Sequence, residues 1–178
     1  MQDVISFSFS KVKIIVGFVV LTFFVLVFLV LLASSLFYGI PLGTISSIFF
    51  FSVCFLGWLD RYKVLRKYLQ GLPALQLTPH SLIDNTNNIS FAWKDVLDFK
   101  DVSVNTGKGG KSHSIAISLN NEADYLSLVQ GWRTRLMAQL NRLVVGSPFS
   151  IETNTIKESR STVLQSLNDF KNKYSHSR

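Results

Sequence analysis

Residues 14–59 contain no Asp, Glu, Lys, Arg or His, and a stretch so long and so apolar has few places to fold except a lipid bilayer. Its first part, Ile14 to Ala33, is 20 residues without a charge. At about 1.5 Å per residue such a helix spans roughly 30 Å, the thickness of a hydrocarbon core. It is apolar on every side, so no stripe marks it as a surface helix of a soluble protein. A second run, Pro41 to Leu59, is shorter and rich in Phe. Between the runs, Gly39 tolerates unusual dihedrals and Pro41 suits the first turn of a new helix. Two transmembrane helices are expected, over 14–36 and 41–59, with Tyr38 and Trp58 at interfacial depth. A cleaved leader competes for the first run, since Lys11 and Lys13 precede it and Ala33-Ser34-Ser35 is a small-residue stretch. The run exceeds the usual leader core, and a second apolar run follows at once.

Charge then orients the hairpin. Lys11 and Lys13 precede the first span; Arg61, Lys63, Arg66 and Lys67 follow the second; the connecting loop has no cation. The positive-inside rule places both termini in the cytoplasm, and residues 1–13 are expected to be a cytoplasmic N-terminus. Asn88-Ile89-Ser90 has the pattern of a glycosylation acceptor, which a cytoplasmic domain would not present to that machinery. Residues 60–178 carry 16 Lys and Arg against 10 Asp and Glu, an excess of 16 − 10 = +6. That balance suits an anionic lipid surface, and equally suits plain solubility. The one cysteine, Cys54, lies in the second run, so the charged part has no disulfide framework.

Residues 60–71 read as a short basic juxtamembrane helix continuing from the membrane and ended by Gly71-Leu72-Pro73. From Leu75 the apolar period becomes two: Leu75 and Leu77, then Leu82-Ile83, the turn Asn85–Asn88, then Ile89, Phe91 and Trp93. Leu97, Phe99, Val102 and Val104 continue the pattern, with a phase slip expected at Lys100-Asp101. Thr106 to Lys111 reads as a hairpin loop and Ile115, Ile117 and Leu119 as the returning strand. Tyr125, Leu128, Trp132, Leu136, Leu140 and Leu143 then recur every three or four residues, predicting one helix whose apolar face enters the core. Gly146-Ser147-Pro148 breaks it, Phe149 to Ile151 suggests a short strand, and Val163, Leu167, Phe170 and Tyr174 line a last helix capped near Thr155, Ser159 or Ser161. The expected fold is a membrane α-helical hairpin followed by an α+β domain over 72–178.

Leu75-Gln76-Leu77-Thr78-Pro79-His80-Ser81-Leu82-Ile83-Asp84, followed by Ile89-Ser90-Phe91-Ala92-Trp93-Lys94-Asp95-Val96, resembles the opening of bacterial pleckstrin-homology-like domains. Gly146-Ser147-Pro148-Phe149-Ser150-Ile151 and the final helix are similar to a family of small bacterial membrane proteins with two N-terminal helices. The resemblance implies a bent antiparallel barrel with packing helices, location in the bacterial inner membrane, and binding of lipid or protein. One departure stands out: the helical stretch 122–145 precedes the Phe149 strand, where that plan has all strands first.

The segment Thr106–Ser112, TGKGGKS, ends like a phosphate-binding loop, but Asn105 occupies the position of its first glycine and a strand pattern follows. Lys108 and Lys111 in that loop, with Arg61, Lys63, Arg66 and Lys67, form the candidate sites for anionic lipid. His80, His113 and His176 lack metal-ligand spacing, and Asp95, Asp98 and Asp101 read as a solvated edge. No serine elbow or Cys–His arrangement suggests an enzyme, and no recognition element suggests nucleic acid. Neither a cofactor nor a metal is expected. Gly43, Ser46, Ser47, Ser52 and Gly57 make the second span the better helix-packing face, toward the first span or another copy. The expectation is a non-enzymatic membrane-anchored module binding a membrane protein or anionic lipid. An immunity-type protein neutralising a membrane-acting toxin is the alternative.

Overall fold

The computed structural model describes residues 3–105, 111–129 and 132–175. The chain divides into two compact units, Ser10–Leu72 and Met1–Phe9 together with Pro73–Arg178.

The first unit is a helical hairpin of α1 (Lys11–Phe37) and α2 (Pro41–Leu69), each long and apolar enough to cross a membrane. Glycines end both helices in the same way. Gly39 (φ 64°) donates to Leu36 O and Ile40 to Ser35 O; Gly71 (φ 72°) donates to Tyr68 O and Leu72 to Lys67 O. This paired closure needs a left-handed residue that glycine supplies without strain, and it satisfies carbonyls that the helix end would orphan. Pro41 then begins α2, where its missing N–H costs nothing. The basic segment after Leu59 continues the second span as expected: α2 runs through the apolar span to Leu69 without interruption.

Small residues let α1 and α2 approach. The Cβ of Ser35 lies 3.4 Å from where a Cβ on Gly43 would be, and Leu21 lies 3.9 Å from that of Gly57. Ser47 is buried, whereas Ser46 and Ser52 point outward and donate to Leu42 O and Ile48 O of their own helix. The small-residue set thus splits between two faces. Trp58 Nε1 donates to Thr22 Oγ1 at 2.9 Å, and Phe28 stacks on Phe50 at 5.4 Å between ring centres. In hydrocarbon such side-chain bonds and close packing replace the hydrophobic drive that water would provide.

Among its described residues the second unit holds seven strands in two antiparallel sheets. β1 (Ile5–Phe7), β2 (Leu75–Leu77), β3 (Ser81–Asp84) and β4 (Ile89–Ala92) form one, in that order. β5 (Val96–Asn105), β6 (Lys111–Leu119) and β7 (Phe149–Glu152) form the other. Among the described residues neither sheet is closed. Helices α3 (Glu122–Leu128) and α4 (Trp132–Val145) lie in sequence between β6 and β7, and α5 (Arg160–Tyr174) ends the fold.

Alternation along the strands supplies the core. Leu75, Leu77, Leu82 and Phe91 from the first sheet meet Phe99, Ile115, Ile117, Phe149 and Ile151 from the second, all buried. Phe91 and Phe149 approach to 5.2 Å between ring centres, with Tyr125 of α3 5.3 Å from Phe91. α5 packs Val163, Leu167 and Phe170 into the same core, Phe170 lying 6.0 Å from Trp93. Each such side chain contributes about 1.5–3 kcal/mol by leaving water. Ser159 caps α5, accepting from Thr162 N at 3.2 Å, which decides among the three cap positions compatible with the sequence.

Four features depart from the periodic reading. Residues 5–7, expected to be a cytoplasmic tail, form β1, with Phe7 opposite Leu75 and Ile5 opposite Leu77. Three residues carry too little pattern to announce a strand, and its partner lies across the whole hairpin. The phase slip falls at Leu97 rather than Lys100-Asp101: Val96 faces Leu119 and Asp98 faces Ser118, leaving Leu97 as the extra residue. Lys171 Nζ donates to the carbonyl of Leu97, the bulged residue. Trp93 stands in a one-turn 3₁₀ segment (Trp93–Asp95), not in a strand; it is buried all the same, its indole donating to Thr78 O at 2.7 Å. Finally, the single helix expected over 125–143 is two, and its apolar face is largely outside the core. Leu136, Leu140 and Leu143 are 43 %, 44 % and 83 % exposed, while Ala138 is the buried one among the described side chains of α4. Trp132 belongs to the same expected face, and its side chain lies outside the described residues.

Candidate functional site

Lys63, Arg66 and Lys67 follow one another at helical spacings of three and four, so they share one face of the last turns of α2. Arg61, two positions before Lys63, points roughly 160° away by the same geometry. Lys63 and Arg66 are exposed, and Arg61 and Lys67 are half-buried. Asp60 pairs with Lys63 at 3.5 Å, both ends largely in water, which tempers the field only slightly. Because the helix is continuous from Pro41, these cations stand within three turns of Leu59, the last residue of the apolar span. That is headgroup depth for a helix crossing a bilayer.

The two lysines of the loop belong to the other unit. Lys111 opens β6, its backbone opposite Asn105. Lys108 lies outside the described residues. The expected six-cation set is therefore three residues on one helical face, a fourth on the opposite side of that helix, and two on the sheet domain.

The sheet domain has polar clusters of its own. Arg160 at the start of α5 pairs with Asp101 of β5 at 3.1 Å and donates to Nδ1 of His113 on β6. Asp101 is thus an ion-pair partner of a helix terminus, and Asp95, at the end of the 3₁₀ segment before β5, serves another purpose. It accepts from the Tyr125 hydroxyl at 2.8 Å, while that oxygen accepts from Ala92 N at 3.1 Å. Burial, with the Asp95 carboxylate holding the phenolic proton, raises Tyr125 above the ordinary tyrosine value. Asp84 is buried and accepts from Thr86 N and Asn87 N, tying the β3–β4 turn where Asn88 takes φ 56°. Each cluster is explained by what it holds together. Among the described residues no three His, Cys, Asp or Glu side chains converge as metal ligands.

Two features escaped the sequence reading. One is β1, which makes the segment before the hairpin part of the sheet domain. The other is the outward apolar face of α4, whose periodicity was plain but whose direction was not.

No protein family, curated protein or solved structure matches this chain. Two helices able to span a membrane, joined to a small antiparallel sheet domain with helices, define what it is structurally.

Proposed function

We propose that this chain is a non-enzymatic, membrane-anchored interaction module. Its sheet domain stands on the cytoplasmic side of the bacterial inner membrane and binds a membrane-protein partner or anionic lipid. The observation that carries the reading is the pairing of β1 with β2. β1 enters α1 through residues 8–10 and α2 leaves toward β2 through residues 70–74, so both ends of the hairpin feed one sheet. A hairpin inserted in a bilayer then has both ends on one side, an argument independent of charge. Lys11, Lys13, Arg61, Lys63, Arg66 and Lys67 all flank that end, and residues 38–40 at the tip carry none, which supports the cytoplasmic side. Four plus three antiparallel strands followed by a terminal helix support treating the domain as pleckstrin-homology-like, with α3 and α4 as an insertion before β7. Lys63, Arg66 and Lys67 each gain about 1 kcal/mol beside an anionic leaflet.

The test is a gentle-detergent pull-down of tagged full-length protein from its membranes, with mass spectrometry of proteins and lipids. A stoichiometric membrane protein, or enrichment of anionic lipid that falls when Lys63, Arg66 and Lys67 are replaced by Gln, is the expected result. Recovery of the chain with neither would sink the proposal.

A further inference from the structure

We propose that α4 is an in-plane membrane helix, its outward apolar face seated at the boundary between headgroups and acyl chains of an anionic leaflet. The inference rests on the reading of α1 and α2 as a membrane anchor. At about 100° per residue, Leu136, Met137, Leu140, Leu143 and Val144 fall within one arc of roughly 120°. All five are exposed. Leu128, at the end of α3, is exposed as well. The opposite side packs on the domain with small or polar residues: Ala138 is buried and Asn141 Nδ2 reaches Ser150 Oγ at 3.5 Å. A helix built this way presents its larger apolar residues to whatever lies outside the fold. Contiguous apolar patches of this kind mark interaction sites rather than ordinary solvent-facing surface.

Charge selects the occupant. α4 carries Arg133, Arg135 and Arg142 and no acidic residue, the composition of a helix that lies on an anionic surface. By the same geometry Arg133 falls within the apolar arc, whereas Arg135 and Arg142 fall roughly 140° and 160° from its centre, on the side that faces the domain. Arg135 Nε donates to Val129 O at 3.3 Å, and Arg142 pairs with Glu122 of α3 at 2.8 Å with its own side chain mostly exposed. Connectivity supplies the second reason. Residues 70–74 are all that separate α2 from β2, so the bilayer is present at high effective concentration and a modest apolar face suffices to hold the domain down.

The experiment uses the full chain in vesicles of phosphatidylcholine with a minority of phosphatidylglycerol, spin-labelled either shallow or deep in the acyl chains. An environment-sensitive fluorophore is attached to native Cys54 in α2, or to Leu143→Cys or Gln165→Cys in a Cys54→Ser background. Leu143 and Gln165 are exposed, so neither replacement disturbs the core. The expected result is loss of most fluorescence at position 143 with shallow quenchers, and at Cys54 with deep ones. The label at 165, on the outer face of α5, keeps its full signal. Quenching at Cys54 with a water-like, unquenched label at 143 would overturn the proposal while leaving the anchor intact. A label at 143 that is blue-shifted but beyond the reach of lipid quenchers would overturn it too, by showing a protein cover such as a second copy. Absence of quenching at Cys54 would overturn the anchor reading and this inference with it.

Discussion

Helices α4 and α5 carry the same sequence signature and meet opposite fates. Leu136, Leu140 and Leu143 stand at i, i+4 and i+7, as do Val163, Leu167 and Phe170. The first set is exposed; the second is 0 %, 0 % and 5 % accessible. Periodicity states that a helix has an apolar face, and says nothing of what covers it. What differs is the opposite side. α5 offers the domain Val163, Leu167 and Phe170 against Trp93, and turns Gln165 and Asp169 to water. α4 offers the domain Ala138 and Asn141, and turns its leucines away. In a protein with water on all sides the second arrangement would be a liability, whereas beside a bilayer it is a contact surface.

Truncation separates the two helices most sharply. Leu167→Ala leaves a cavity in a packed core and is expected to cost about 2–5 kcal/mol. Leu140→Ala on α4 removes little from the core and is expected to stay within about 0.5 kcal/mol. Denaturant titration of full-length protein in micelles, followed by tryptophan fluorescence, measures both; equal costs would break the comparison. Repeated in anionic vesicles, the Leu140→Ala cost should grow, since the lipid contact is then part of the folded state.

A smaller effect probes α3, which buries Tyr125 but exposes Leu128. Tyr125→Phe removes the hydroxyl that joins Asp95 to Ala92 N and is expected to cost about 1 kcal/mol near neutral pH. The folded value of Tyr125 is raised, so its contribution is complete below the unfolded value near 10.0 and is lost as pH rises toward the folded one. Stability of the natural protein should therefore fall above pH 10.0 by a component that Tyr125→Phe lacks. Identical alkaline profiles would show that Tyr125 is not held neutral by its site.

The smallest effect concerns the end of α5. Lys173 pairs with Asp3, just before β1, and that hydrogen bond and charge lower the Asp3 carboxyl below its usual value of 3.8 while raising Lys173. Both groups are open to solvent, so Asp3→Asn should barely move global stability. It should instead speed amide exchange of Ile5 to Phe7 relative to Leu75 to Leu77. Because the folded value is lowered, the tie is present above pH 3.8 and weakens as pH falls through the folded value. Unchanged exchange in Asp3→Asn would show that β1 is held by its ladder alone.

Much of the fold was legible wherever pattern and local chemistry agreed. The Gly39-Ile40-Pro41 break, the Asn85–Asn88 turn, the strand around Ile115 and Ile117, and the face of α5 follow from glycine geometry, turn residues and periods of two and 3.6. The misreadings share a cause. β1 is too short to show a period, and its partner β2 lies on the far side of the hairpin in sequence. The bulge at Leu97 depends on register against β6, which no residue of β5 announces by itself. Among the candidate cations, the common face of Lys63, Arg66 and Lys67 could be read from spacing, and so could their place on a helix continuing from the second span.

Residue chemistry alone determined that two segments suit hydrocarbon, that positive charge gathers at one end of the hairpin, and that strands precede a terminal helix. These are local properties, set by transfer free energy and backbone preference within a few turns. Only the tertiary structure decided that residues 5–7 join the sheet and that α5 rather than α4 closes the core. Both choices depend on which surfaces meet, and packing is settled by the shapes of distant segments together: Ala138 and Asn141 leave α4 nothing large to insert, while Trp93 and Phe99 leave a site that Leu167 and Phe170 fill.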